Sequence, residues 1–224
     1  MRIVFRIGGS VVASPVNTEL MSKYAKTLKA IKAQGHEVAV VVGGGALARE
    51  FIGIAKSLGL DMQAQDEVAI SVSRLFAQLL LKKLGASACS KVAVTLDEAA
   101  ECLAERKIAV MGGLKPGITT DAVAALVAEH VNADLLVKGT DQEGIYDKDP
   151  RKHSDAKKLD RVSLDDLMGT LSEGEHKAGM HQIVDPEAVK VLKRKRVKLI
   201  VVNGFKPENF LAVVAGERVG TVVE

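Results

Sequence analysis

The stretch VAVVVGGGALARE, residues 38–50, passes from a run of valines through three glycines into a helix-forming sequence. Valine favours strands because its branched side chain is stiff and packs well on a pleated surface. The three glycines remove every side chain from the turn, so this backbone must be approached too closely for a Cβ. A strand, a glycine turn and a helix in this order predict one unit of an α/β fold.

The same alternation continues along the 224-residue chain. The predicted strands are RIVFRI, EVAVVV, KVAVT, KIAVM, DLLVK, KLIVV and GTVV. The predicted helices are residues 18–34 with Thr18 as N-cap, residues 66–84 beginning at Asp66, TTDAVAALVAEHV and DPEAVKVLKRKR. Because several strands are continuously apolar, we expect a mostly parallel sheet with helices on both faces.

Composition excludes several classes of protein. A net charge of +3 and an aromatic content of 3% are too low for binding a nucleic acid polymer by charge or stacking. No apolar run approaches the roughly 18 residues of a membrane span, and the N-terminus lacks a signal peptide pattern. Cys89 and Cys102 fit neither a disulfide framework nor a metal site, so we expect buried thiols in a cytoplasmic protein. The five histidines lack metal-ligand spacing, and no metal-binding residue is predicted.

Glycine-rich turns follow four of the predicted strands: GGS, GGG, GGLKPGITTD and GTDQEGIYDKDP. Parallel strands bring such turns to one edge of the sheet, where ligands of α/β proteins bind. Three of the turns run into helices, and helix N-termini bind anions through their free N–H groups. The sequence therefore predicts a polyphosphate and a second anionic group at this edge. The polar stretch 147–158 is expected to form a surface loop or a β-ribbon beside them.

Neither the P-loop pattern nor G-x-G-x-x-G is present. The segments IGGS, VVGGGALAR, MGGLKPGITTDAVAALVAE and GTDQEGIYDKDP resemble those of the amino acid kinase family over nearly the whole chain. Within that family they are most similar to the archaeal uridylate (UMP) kinases. The resemblance implies a three-layer αβα sandwich spanning residues 1–224 as one domain, and phosphoryl transfer from MgATP to UMP. It also implies a homo-oligomer, commonly a hexamer.

The resemblance implies site residues by matched position. UMP contacts are expected mainly in the N-terminal part and ATP contacts mainly in residues 135–224. The implied ATP-binding residues are Gly9, Ser10, Gly45, Arg49, Thr140, Asp141, Tyr146 and Asp149. The implied UMP-binding residues are Gly44, Asp66, Leu114, Lys115, Pro116, Gly117, Ile118, Thr119 and Thr120. The glycines would let two phosphates approach one backbone from opposite sides.

The candidate catalytic residues are Arg6, Asp121 and Asp185. Many family members have lysine at the position of Arg6, and one branch has a lysine in the segment that here reads AGMHQIVDPEA. Asp121 and Asp185 stand at helix starts, where a carboxylate caps or suits the dipole, and capping is favoured for Asp185. No general base is required, because the acceptor is itself a phosphate. A kinase for isopentenyl phosphate, acetylglutamate or carbamate, or a nucleotide-storage protein, remains an alternative.

Overall fold

The computed structural model describes residues 1–172 and 183–224, with side chains described for 1–168 and 183–224. The strands are β1 (Arg2–Ile7), β2 (Glu37–Val42), β3 (Ala109–Met111), β4 (Leu135–Thr140), β5 (Ile145–Tyr146), β6 (Lys158–Leu159), β7 (Arg161–Val162), β8 (Lys198–Asn203) and β9 (Thr221–Val223). The helices are α1 (Gly9–Val12), α2 (Thr18–Ala33), α3 (Gly45–Ser57), α4 (Met62–Leu84), α5 (Leu96–Ala104), α6 (Thr120–His130), α7 (Leu164–Ser172), α8 (Pro186–Lys195) and α9 (Glu208–Val214).

Within the described residues, seven strands form one sheet in the order β3-β2-β1-β4-β8-β9-β7. The pairs from β3 to β8 are parallel, and β9 runs antiparallel to β8. One apolar cluster packs α5, α6, α7 and α8 against one face, and a second packs α2, α4 and α9 against the other. The predicted three-layer αβα sandwich with a mostly parallel sheet is confirmed.

Three predicted elements differ from the structure. KVAVT is not a strand: Ala93 makes a single bridge to Met111, and Thr95 then leaves the sheet edge to cap α5. The long helix begins at Met62 and not at Asp66, because Asp61 is its N-cap and accepts from the Ala64 N–H at 2.8 Å. The N-cap of α2 is Asn17 and not Thr18. Across the described ranges, no helix is both long and apolar enough to cross a bilayer.

The prediction of two free thiols is wrong. Cys89 and Cys102 form a disulfide, with their Cα atoms 5.8 Å apart. The bond ties the segment after α4 to α5, and it joins residues 13 positions apart. Sequence spacing could not show this, because two cysteines pair only when the fold brings their Cα atoms to roughly 4.4–6.8 Å.

The two faces of the sheet follow from the two-residue period of each strand. In β1, Ile3, Phe5 and Ile7 lie in the cluster under α2 and α4, whereas Val4 lies in the cluster under α6 and α8. Arg6 shares the face of Val4, as does Arg2 at the start of the strand, and Arg6 lies at the end of the strand from which the glycine turn leaves. The fold therefore places an arginine beneath the helix layer formed by α6 and α8.

Candidate active site

The four glycine-rich turns meet at one edge of the sheet, as predicted. They follow β3, β2, β1 and β4, which are four neighbouring parallel strands. Backbone hydrogen bonds join neighbouring turns: the Gly8 N–H donates to the Gly139 carbonyl at 3.0 Å, and the Gly43 N–H donates to the Ile7 carbonyl at 3.1 Å. The turns after β4, β1 and β2 are thus joined through their backbones.

The glycines of the first two turns are required by the contact of these turns with each other. A Cβ on Gly9 would lie 2.1 Å from the Gly45 nitrogen, and a Cβ on Gly45 would lie 2.2 Å from the Gly9 carbonyl oxygen. Gly45 also has a φ of +61°, which L side chains rarely adopt. The close approach inferred from GGG is therefore, in this structure, an approach of protein backbone.

A buried charged cluster lies under the middle of this edge. Arg6 of β1 and Lys138 of β4 are direct partners in the parallel register, so their side chains leave the same face side by side. The Arg6 Nε lies 2.6 Å from the Asp121 Oδ1 as an ion pair without hydrogen-bond geometry. Lys138 is only 7% exposed, and its Nζ donates to Asp121 and to the Ile183 carbonyl. One carboxylate in the first turn of α6 thus bridges two cations.

The electrostatics of the cluster are set by burial and by opposite charge. Burial pushes the pKa of Asp121 upward, but the Arg6 and Lys138 cations outweigh it and hold this pKa below its usual value. Burial lowers the pKa of Lys138, with a further contribution from the Arg6 charge, although Asp121 opposes both. The arrangement therefore keeps Asp121 ionised between the Arg6 and Lys138 side chains.

Asp185 connects the cluster to a second helix. Its Oδ1 accepts from the Glu187 N–H at 2.6 Å, which makes it the N-cap of α8 as favoured from the sequence. Its Oδ2 accepts from the Thr119 hydroxyl at 2.5 Å, and Thr119 is itself the N-cap of α6. The backbone amide of Asp185 also helps to hold the pKa of Asp121 low. The three candidate catalytic residues are therefore brought together, with two helix N-termini at one point.

The loop from β3 to α6 carries most of the residues expected to bind UMP. Lys115, Gly117 and Thr119 are exposed, and Leu114, Pro116, Ile118 and Thr120 are half-buried. The Thr120 hydroxyl accepts from the Arg6 guanidinium at 3.0 Å, which ties the end of the loop to the charged cluster.

Asp66 was predicted to begin the long helix, but it is not the N-cap of α4. Asp66 lies in the second turn of α4, and its Oδ2 accepts from the Gly117 N–H at 2.7 Å. This carboxylate therefore reaches the loop expected to bind UMP.

On the other side of β1, residues expected to bind ATP follow β4. Thr140 and Asp149 are buried, and Asp141 pairs with Arg151. The Asp149 Oδ1 accepts from the Arg151 N–H at 3.0 Å, which stabilises the turn at Pro150. Tyr146 is half-buried in β5, which pairs antiparallel with β6. Of the two forms predicted for residues 147–158, the loop is the one found: the stretch connects β5 to β6, and only Lys158 belongs to a strand.

The remaining candidate binding residues, in the turns after β1 and β2 and on α3, differ in their exposure to solvent. Gly9 and Gly44 are buried, and Ser10 and Gly45 are half-buried at the edge of the sheet. Arg49 is exposed on α3, and the described side chains give it no ion pair. His176, His181 and residues 178–182 of the AGMHQIVDPEA segment lie outside the described residues.

The sequence profile of the amino acid kinase family matches residues 1–203. The chain belongs to the amino acid kinase family. This amino acid kinase is 46% identical to the uridylate kinase of Methanocaldococcus jannaschii, with 100% of both chains covered. It is 43% identical to the uridylate kinase of Thermococcus kodakarensis, again over 100% of both chains. The crystal structure of uridylate kinase from Archaeoglobus fulgidus matches all of both chains with a TM-score of 0.89 at 40% identity.

Sequence reasoning missed Lys138 in this amino acid kinase. The feature that could have indicated it is a lysine within the apolar run LLVKGT, which forms β4 and is buried at every position. A charged residue is almost never fully buried unless it is paired, so its position already required a buried carboxylate nearby. Ser73 and Arg74 of α4, which contact the loop after β3, were missed as well; they lie within an ordinary amphipathic helix pattern.

Proposed function

We propose that the chain transfers the γ-phosphoryl group of MgATP to UMP, giving UDP and ADP, as a cytoplasmic enzyme of pyrimidine nucleotide biosynthesis. The full-length similarity to uridylate kinases supports the substrates. The observation that carries the chemistry is the Arg6–Asp121–Lys138 cluster, which lies between the loop after β3 and the loop after β4. Residues 1–224 act as one domain in this proposal.

The order of the strands supports a division of the edge between two nucleotides. UMP is assigned to the side of β2 and β3, with the loop 114–120, Gly44 and Asp66. ATP is assigned to the side of β4, with Thr140, Asp141, Tyr146 and Asp149, and with Gly9, Ser10, Gly45 and Arg49 at the phosphates. Since β1 lies between β2 and β4 in the sheet, the transferred group would cross above β1.

The proposed mechanism is charge neutralisation in a fixed geometry. Phosphoryl transfer passes through a transition state whose charge is spread over the phosphoryl oxygens, and it needs little covalent help from the protein. Arg6 and Lys138 supply two cations, and Asp121 fixes them in place. The N-termini of α1, α3 and α6 add N–H donors at the same edge. The UMP phosphate is the nucleophile, so no side chain has to remove a proton.

Magnesium enters this proposal as part of the MgATP substrate. Among the described residues, no three His, Cys, Asp or Glu side chains are grouped as metal ligands. Asp121 is already bridged between two cations. Magnesium often binds mainly through substrate phosphates and water, which fits this set of donors.

The substrate assignment is tested with purified protein, MgATP and a panel of acceptors. We expect ADP formation with UMP to exceed that with isopentenyl phosphate, acetylglutamate or carbamate by orders of magnitude. ADP formation with another acceptor and not with UMP would overturn the substrate. ATP binding without turnover of any acceptor would instead indicate a storage protein.

Replacing Asp66 tests the acceptor side. The asparagine in Asp66→Asn can still accept from the Gly117 N–H, so we expect little change in Tm. In this proposal the Asp66 carboxylate accepts hydrogen bonds from the ribose hydroxyls of UMP. Asparagine lacks that charge, and a hydrogen bond to a charged group is worth about 1.5–3 kcal/mol. KM for UMP should therefore rise about tenfold or more, and the preference for UMP over 2′-deoxy-UMP should shrink.

Asp61→Ala is the matched control on the same helix. It removes the true N-cap, so it should lower stability by about 0.5–2 kcal/mol and leave KM for UMP unchanged. If Asp66→Asn alters Tm but neither UMP affinity nor the 2′-hydroxyl preference, the ribose is held elsewhere.

We further propose a homo-oligomer, with a homohexamer as the specific expectation. Most large apolar side chains that the described residues leave exposed lie on α3, on α4 and in the turn between them: Phe51, Ile54, Leu58, Leu60, Met62, Leu75 and Leu79. Such a concentration of exposed apolar groups is typical of an association surface. A monomeric mass in solution would contradict this part of the proposal.

A further inference from the structure

The first turn of the loop after β3 lies directly against the backbone of α4. A Cβ on Gly112 would be 2.7 Å from the Arg74 nitrogen and 2.8 Å from the Ser73 carbonyl carbon. A Cβ on Gly113 would be 2.8 Å from Ile70 Cγ1. The two glycines therefore allow α4 to touch the loop at the point where it leaves the sheet.

Two consecutive side chains of α4 bind the polar groups of this part of the loop. The buried Ser73 hydroxyl accepts from the Gly113 N–H at 2.7 Å and donates to the Ile70 carbonyl at 2.7 Å. Arg74 donates from Nε to the Gly113 carbonyl at 3.0 Å and from a terminal nitrogen to the Leu114 carbonyl at 3.0 Å. One guanidinium thus spans two successive carbonyls, and Arg74 makes these bonds from a half-buried position.

We propose that Arg74 is a positioning residue for the phosphate acceptor: it sets the backbone of the loop 113–120 and acts on UMP only through that loop. The inference rests on the proposed placement of UMP at this loop. The rigid fork of the guanidinium fixes the directions of two carbonyls together, which a lysine cannot do. The loop is held at a second point by Asp66, through the Gly117 N–H, so Arg74 determines its first part and Asp66 its middle.

The charge of Arg74 has a second effect on the loop. A cation bound to a carbonyl polarises its peptide group, and a polarised peptide is a stronger N–H donor. The two peptide groups concerned are Gly113–Leu114 and Leu114–Lys115. Arg74 therefore makes the start of the loop a better partner for a dianionic phosphate without contacting that phosphate.

The test compares Arg74→Ala and Arg74→Lys with Lys82→Ala, an exposed cation near the end of the same helix. We expect Arg74→Ala to raise KM for UMP about tenfold, the effect of losing a hydrogen bond to a charged group. KM for ATP should change less than about twofold, below the effect of one hydrogen bond. The KM of Arg74→Lys for UMP should lie closer to that of Arg74→Ala than to that of wild type, because lysine keeps the charge but cannot bond both carbonyls at once. Lys82→Ala should change neither constant.

A merely structural role would give a different pattern. A lower Tm with both KM values unchanged, or an equal rise of both KM values, would overturn the inference. If Arg74→Ala fails to fold, Arg74→Lys provides the same comparison with the charge kept. The Asp66→Asn variant distinguishes failure of the proposed Arg74 role from failure of the proposed UMP site at this loop. If Asp66→Asn weakens UMP binding and the Arg74 variants do not, Arg74 has no positioning role. If neither weakens it, UMP does not bind at this loop.

Discussion

The Asp121→Asn variant is expected to lose at least about 100-fold in kcat, because both cations of the cluster lose the carboxylate that fixes them. It is also expected to lose about 3–5 kcal/mol of unfolding free energy at pH 7, since breaking a buried ion pair leaves uncompensated charge. Arg6 and Lys138 are then next to each other in register without an anion between them. Steady-state kinetics and urea unfolding measure the two effects.

The stability difference has a predicted pH dependence. The pKa of Asp121 is lowered in the folded state, so its contribution is fully present above the ordinary aspartate pKa of about 3.9. It is lost as the pH falls through the lower folded value. The difference between wild type and Asp121→Asn should therefore shrink below about pH 4.

Asp97→Asn is the matched control for Asp121→Asn. Asp97 also lies in the first turn of a helix and pairs with His130, but its side chain is 82% exposed. Exposed pairs contribute about 0–1 kcal/mol, so this variant should keep both activity and stability. An Asp121→Asn enzyme with normal kcat would show that the buried cluster has no part in the transfer.

The Lys138→Met variant is expected to lose about 10²–10³ in kcat, the usual effect of removing one donor that stabilises transition-state charge. Both KM values should change much less, because the loops that hold the nucleotides are intact. Its unfolding free energy should fall less than that of Asp121→Asn, because Asp121 keeps Arg6 as a partner. A large loss of affinity for both nucleotides with kcat preserved would contradict this role.

Lys138 also predicts the alkaline limb of the pH profile. Burial lowers the pKa of Lys138 below the ordinary lysine value of about 10.4. As the pH rises, the amine therefore loses its proton before pH 10.4 is reached, and wild-type kcat should decline with it. Lys138→Met should lack this limb. Lys198→Met is the matched control, because Lys198 begins the neighbouring strand and its ion pair with Glu224 is partly exposed. The Lys198→Met variant should keep the wild-type kcat and the alkaline decline of kcat.

The fold class could be predicted from local sequence because its determinants are local. The apolar runs RIVFRI, EVAVVV and KLIVV form strands as predicted, since residues buried on both faces leave a continuous apolar pattern. Parallel strands then bring the glycine turns to one edge. Element ends were less predictable: Asp61 and Asn17 are the caps, where Asp66 and Thr18 were expected. Several polar residues near a helix start can cap it, and tertiary packing selects one.

The candidate site divides in the same way. The glycine-rich turns could be read from the sequence, and the family resemblance supplied the candidates Arg6, Asp121 and Asp185. Three further features could not be predicted: Lys138 is the register partner of Arg6, the backbones of Gly9 and Gly45 leave no room for a Cβ on either residue, and Cys89 reaches Cys102. They could not be predicted because the residues concerned lie on different elements of the chain. Periodicity and propensity act within one element, whereas these contacts join residues of different elements, and their geometry exists only once the helices have packed on the sheet.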